Sequence, residues 1–243
     1  MGENVDAHLL EQLKKLQAKY NVMGQDLSSY LDGLLYSDYL TYWDYIHLDT
    51  LLSLQSPETS FPDEKVFILY HQITELYFRM VLLELEQISS RPNIDAAFFI
   101  ERITRIIRYF QNLVNSFEIM VEGMEKEQFL KFRMALLPAS GFQSAQYRLI
   151  EIASTEMINL VNVDDREGLQ QAQLDQLLDK LYWRSGATEL ASGKKTLTLQ
   201  QFEAKYNTTF LEAGVKYKNK NLQQIFQQHF SNSEQRDEIV ERL

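Results

Sequence analysis

The sequence predicts an all-α protein, a helical bundle, on three observations. Apolar residues recur three and four apart over long stretches, the period of one helix face. Glycine and proline are sparse, 9 and 4 among 243 residues, too few to punctuate many short strands. Phe99, Ile103, Ile106, Phe110, Leu113, Phe117 and Met120 keep a heptad rhythm, which reads as a long bundle seam.

Asn4 to Tyr20 is expected to be an amphipathic helix, with Leu9, Leu13, Leu16 and Tyr20 as its stripe. Gln25 to Tyr36 is a second, mixed segment. Ser37-Asp38 is a plausible N-cap for a helix over Tyr39–Gln55. Ser56 to Asp63 carries Pro57 and Pro62 and reads as a loop. The acidic pair Asp63-Glu64 suits the positive N-terminus of the next helix.

That helix runs to about Ile88. Phe67, Tyr70, Thr74, Tyr77, Val81 and Ile88 share one face, and Leu69, Leu76, Met80 and Leu83 cover much of the rest. A helix apolar on nearly all sides is expected to be buried in a bundle, and His71 with it. After a turn at Pro92, the heptad helix spans Ala96 to Val121, with Arg102, Arg105 and Arg108 on its opposite, solvated face. Glu125 to Leu137 is a short helix, stopped by Pro138-Ala139-Ser140-Gly141. Phe142 to Val161, Leu169 to Tyr182, Leu199 to Tyr217 and Asn221 to Phe230 complete the helices, with a loop over Ser185 to Thr198 and a charged tail from Ser231. One all-helical domain is expected over residues 1–243. Residues 1–36 would lie at a subunit interface, 37–161 would form the core bundle and pocket, and 162–243 a less regular part.

Composition excludes several chemistries. There is no cysteine, hence no disulfide, thiolate metal site or cysteine nucleophile. The net charge of −10 argues against a general affinity for nucleic acid. No signal-peptide pattern opens the chain, and no apolar run reaches the roughly 20 residues that span a bilayer, so a cytoplasmic protein without a membrane partner is expected. No glycine-rich phosphate loop, HExxH zinc helix or serine elbow is present. Asp44-x-x-His47 occurs once, where a di-iron bundle needs two Glu-x-x-His units. Two leads remain: His71 on an aromatic face, and Arg133 just before the Ser140-Gly141 turn. Each also has a plain structural reading, as a core histidine and a surface arginine.

Three stretches decide between these readings: YWDYIHLDTLLSLQ, DEKVFILYHQITELYFRMVLLELEQI and FRMALLPASGFQSAQYRLIE. Together they resemble the tryptophan 2,3-dioxygenase family, best from Tyr39 to Glu151. The resemblance implies an all-helical homotetramer that binds haem b and its iron. It further implies that L-tryptophan and dioxygen are converted to N-formylkynurenine, the opening step of tryptophan catabolism by the kynurenine pathway. By the same resemblance, His71 is the catalytic distal histidine that meets the indole N–H, and Phe67 packs beside it. Arg133 pairs with the substrate carboxylate. Ser140 and Gly141 lie against the haem and the amino-acid end of the substrate. Tyr42, Tyr45 and Ile46 are contributed by a neighbouring subunit.

The sequence departs from the family at two places. Phe129 stands where the family has a tyrosine that helps hold the carboxylate. The family's proximal haem histidine, ahead of a Thr-Gly-Gly loop, has no counterpart here, and the surroundings of His229 do not match it. The metal ligand is therefore unassigned, and the chain reads as a family member cut short or lacking the haem-binding end. Two alternatives stand beside the dioxygenase: a related haem oxygenase for another aromatic amino acid, and a haem-free helical binding or oligomerisation module.

Overall fold

A computed structural model describes residues 6–36, 41–136, 141–185, 187, 194–231 and 236–242. Among these the protein is helical throughout, with one isolated bridge between Val161 and Leu181 and no strand. The all-α expectation holds. The chain divides into two compact units, Met1–Leu54 and Gln55–Leu243.

The first unit pairs α1 (Ala7–Val22) with α2 (Leu27–Tyr36). Asp6 caps α1 by accepting the His8 amide at 3.0 Å, and Gly24 turns the chain at φ +66°. The expected helix over Tyr39–Gln55 is two short ones, α3 (Tyr42–Tyr45) and α4 (Leu48–Leu52). His47 breaks them by adopting φ +51°, a left-handed conformation costly for a residue with a Cβ. The suggested cap Ser37-Asp38 lies outside the described residues.

The second unit is built around α5 (Pro62–Ser90). Pro62 occupies the first helical turn, where its missing N–H costs nothing. Helix α5 packs on α6 (Ala96–Ser116), α8 (Lys126–Ala135), α9 (Ala145–Ser154) and α13 (Leu222–His229), while α12 (Leu197–Tyr217) packs on α9 and α10 (Leu174–Asp179). Phe99, Val81, Ile88, Leu199 and Phe210 lie at the centre of the core. The heptad helix ends earlier than expected, at Ser116, and a separate turn α7 (Glu118–Val121) follows. The stretch expected to be helical from Phe142 is broken into a 3-10 turn (Gly141–Gln143), α9 and a second 3-10 turn (Met157–Leu160). Leu169–Tyr182 holds the end of a 3-10 turn (Glu167–Leu169), α10 and the start of α11 (Tyr182–Ser185), and the charged tail forms α14 (Arg236–Arg242), anchored by buried Ile239.

Three expectations about α5 and α6 are corrected. Helix α5 is not buried all round: Val66, Leu69, Ile73, Leu76 and Leu83 form an exposed stripe at heptad spacing, and His71 is exposed too. Periodicity shows that a face is apolar, not what covers it. By length and mean hydropathy α5 would also suffice to cross a bilayer, although its other face packs into the bundle. Lastly, Arg102 and Arg105 are not simply solvated. They converge on the buried Glu84 carboxylate at 3.0 and 3.4 Å, joined by the Tyr109 hydroxyl at 3.2 Å. A carboxylate this buried needs such partners.

Glu64, in the first turn of α5, is also almost wholly buried. Burial opposes its ionisation. Donation from the Thr59 hydroxyl and the Glu58 and Thr59 amides outweighs burial and holds its pKa below the usual carboxylate value. A depressed folded-state pKa gives stability that is present above the unfolded value and lost as pH falls through the folded one. Glu64→Gln should therefore flatten the acid limb of a urea-unfolding series and cost about 1–3 kcal/mol at neutral pH. An unchanged acid limb would show that Glu64 does not govern it.

Candidate functional site

Helix α5 carries Phe67 and His71 one turn apart. The His71 ring lies 4.1 Å from the Phe67 ring, centroid to centroid. His71 Nδ1 sits 2.8 Å from the Phe67 carbonyl oxygen. A carbonyl only accepts, so Nδ1 carries the proton of this bond, and the neutral ring is left with an acceptor lone pair on Nε2.

Helix α8 completes the cluster. Phe129 and Phe132 place their rings 6.3 and 5.6 Å from Phe67, and 5.5 Å from each other at right angles. Edge-to-face geometry of this kind favours ring against ring. Phe132 is fully buried, and Phe129 half-buried. Arg133 follows immediately and is exposed, its guanidinium without a partner among the described residues. Thus the structure brings Phe67, His71, Phe129 and Arg133 onto two helices in contact.

Beside His71 opens a pocket of about 500 Å³, walled by Tyr70, Thr74, Phe78, Phe110, Phe117 and Tyr147. Periodicity marks Phe110, Leu113 and Phe117 as bundle seam; all three line this pocket, Phe110 while also packing against the core. Tyr147 belongs to the Q-Y-R stretch, but its facing partners, Phe78 at 5.3 Å among them, lie far away in sequence. Gln146, its neighbour, donates to the Glu75 carbonyl at 2.8 Å and carboxylate at 2.9 Å, fastening α9 to α5. Helical spacing names Tyr70, Thr74, Phe110 and Phe117 as apolar faces but does not show that they enclose a cavity, nor that Gln146 bonds Glu75.

Gly141 is exposed and opens the 3-10 turn ahead of α9, which Ser144 caps by accepting the Tyr147 amide at 3.2 Å; Ser140 lies outside the described residues. Tyr42 and Tyr45 are exposed and Ile46 half-buried, all three in the first unit. His229 is exposed at the end of α13 and lines neither this pocket nor a second one of about 520 Å³ between α9, α10 and α12. No group of three or more His, Asp or Glu side chains able to hold a metal occurs among the described residues.

A haem set here would meet the aromatic side chains of this pocket. Tyr70, Phe78, Phe110, Phe117 and Tyr147 supply rings, Leu113, Val114 and Thr74 fill between them, and His71 is the one imidazole among the described lining residues.

The family description "Tryptophan 2,3-dioxygenase" matches residues 32–237. A protein from Ralstonia nicotianae named tryptophan 2,3-dioxygenase 2 is 36% identical over 164 residues, 63% of this chain and 42% of its own length. Tryptophan 2,3-dioxygenases of Ruegeria sp. (strain TM1040) and Anaeromyxobacter sp. (strain K) are each 37% identical, over 48% and 49% of this chain and 42% and 45% of their own lengths. The chain thus spans less than half the length of these curated relatives. With the family match extending over most of its residues, the chain belongs to the tryptophan 2,3-dioxygenase family.

Proposed function

We propose that this chain carries the substrate-side machinery of a haem-dependent dioxygenase that converts L-tryptophan and dioxygen to N-formylkynurenine. The observation that carries this reading is the His71–Phe67 hydrogen bond. It commits Nδ1–H to a carbonyl and leaves Nε2 as an acceptor beside an aromatic pocket, while indole N–H is a donor only. Phe67 and Phe129, both half-buried, offer the ring stacking partners, with buried Phe132 packed behind them. Arg133, one residue beyond that cluster, presents the planar fork that a carboxylate meets with two hydrogen bonds. Haem b, held by the walls around His71, would supply the activation of dioxygen. Gly141 would border the amino-acid end, with Ser140 beside it in sequence.

The assembly is a homotetramer in this reading, working in the cytoplasm, with Tyr42, Tyr45 and Ile46 reaching a neighbouring copy's pocket. The exposed apolar stripe on α5 supports self-association, since heptad-spaced apolar residues are the seam of helix pairs. An absorption titration with haemin, followed by L-tryptophan, tests the proposal. One haem per chain with a Soret band perturbed by tryptophan is the expected result. Absence of specific haem binding would overturn the catalytic reading in favour of a haem-free binding module.

Phe129 favours a second reading, an oxygenase for another aromatic amino acid, because an apolar ring sits where a hydroxyl would help hold the carboxylate. Phe129→Tyr should tighten L-tryptophan binding about tenfold, the scale of one hydrogen bond to a charged group. A calorimetric titration reads this directly. Unchanged affinity would place position 129 away from the carboxylate.

A further inference from the structure

We propose that Asp63 is a positioning residue for the substrate site, locking the start of α8 onto the start of α5 and thereby setting where Arg133 stands relative to His71. The N-cap of α8 is Glu125, whose side chain makes no capping hydrogen bond. The Glu125 amide instead donates to Asp63 Oδ2 at 2.6 Å, from a carboxylate 62 residues earlier in the chain. The link is reciprocal, because the Asp63 amide donates to Gln128 Oε1 at 3.4 Å. Gln128 Nε2 in turn donates to Glu125 Oε2 at 2.5 Å, holding the amide side chain in place.

One carboxylate thus serves the positive ends of two helices, a placement that the helix dipoles favour. Farther along α8, Lys131 stands 5.6 Å over the Phe61 ring, and Phe132 meets Phe67. Without the Asp63 link, α8 is held to α5 mainly by these ring contacts and can pivot about them. Arg133 lies two helical turns from Glu125, so a small pivot moves its guanidinium by about an ångström. A displacement of that size can cost up to about a hundredfold in a positioned reaction.

The inference rests on the tryptophan reading for the role of Arg133, and the experiment separates the two. Asp63→Ala and Asp63→Asn are prepared in the full chain. Amide exchange at Glu125 and the affinities for L-tryptophan and for indole, which lacks the carboxylate, are then measured. Asp63→Ala is expected to speed exchange at Glu125 at least tenfold and weaken L-tryptophan about tenfold, with indole unchanged. Asp63→Asn keeps an acceptor oxygen and should stay within about threefold of the parent in all three measurements. Equal weakening of tryptophan and indole, or unchanged exchange at Glu125, would overturn the positioning role. If the parent chain binds neither ligand, the tryptophan reading falls, and the exchange result alone supports or overturns the lock.

Discussion

His71→Ala should lower kcat/KM for L-tryptophan at least about a hundredfold, within the range that a positioned proton-handling group contributes. Folding should hardly change. The His71 side chain is exposed, and among the described residues its hydrogen bond goes to the carbonyl four residues earlier in its own helix. A substitution at such a place shifts stability by about half a kcal/mol or less. Formation of N-formylkynurenine by the haem-loaded protein and urea unfolding of both proteins give the two numbers. If the variant unfolds instead, His71 is a structural histidine. If it turns over normally, the acceptor at Nε2 is not needed.

Arg133→Ala should raise the dissociation constant for L-tryptophan about ten- to a hundredfold. A hydrogen bond to a charged group contributes roughly 1.5–3 kcal/mol, which converts to that range. The fold should persist, because the exposed guanidinium has no protein partner among the described residues to lose. Tryptamine, which has the indole but no carboxylate, should bind parent and variant alike. Arg133→Lys should restore only part of the affinity, since an ammonium cannot reproduce the planar fork. Equal affinity of Arg133→Ala for L-tryptophan would remove the carboxylate role, and equal losses for both ligands would point to a packing role.

The long helices were legible because period alone defines them: α5, α6 and α12 lie within a few residues of where apolar spacing puts them. The breaks were not. His47 in a left-handed conformation and the end of α6 at Ser116 depend on what the flanking residues meet, and spacing does not encode that. The site divides in the same way. Phe67 and His71 are one turn apart, so their adjacency follows from any helix there. Their link to Phe129 comes from resemblance alone, because nothing local joins residues some sixty positions apart, and the part of Phe132 is visible only in the structure. The same distance hid Asp63–Glu125. Period is also blind to the difference between a core and a cavity, which is why Phe110, Leu113 and Phe117 read as seam. Arginines read as solvated because their carboxylate partner, Glu84, lies on the preceding helix.

The exposed stripe from Val66 to Leu83 bears on how the protein responds to dilution. If copies cover that stripe for one another, as the proposed assembly requires, the folded state is drawn on by mass action, and its stability depends on protomer concentration. The melting temperature would then rise as the protein is concentrated. Residues far from any ligand, on the outer side of α5, would influence the site through the population of assembled chains.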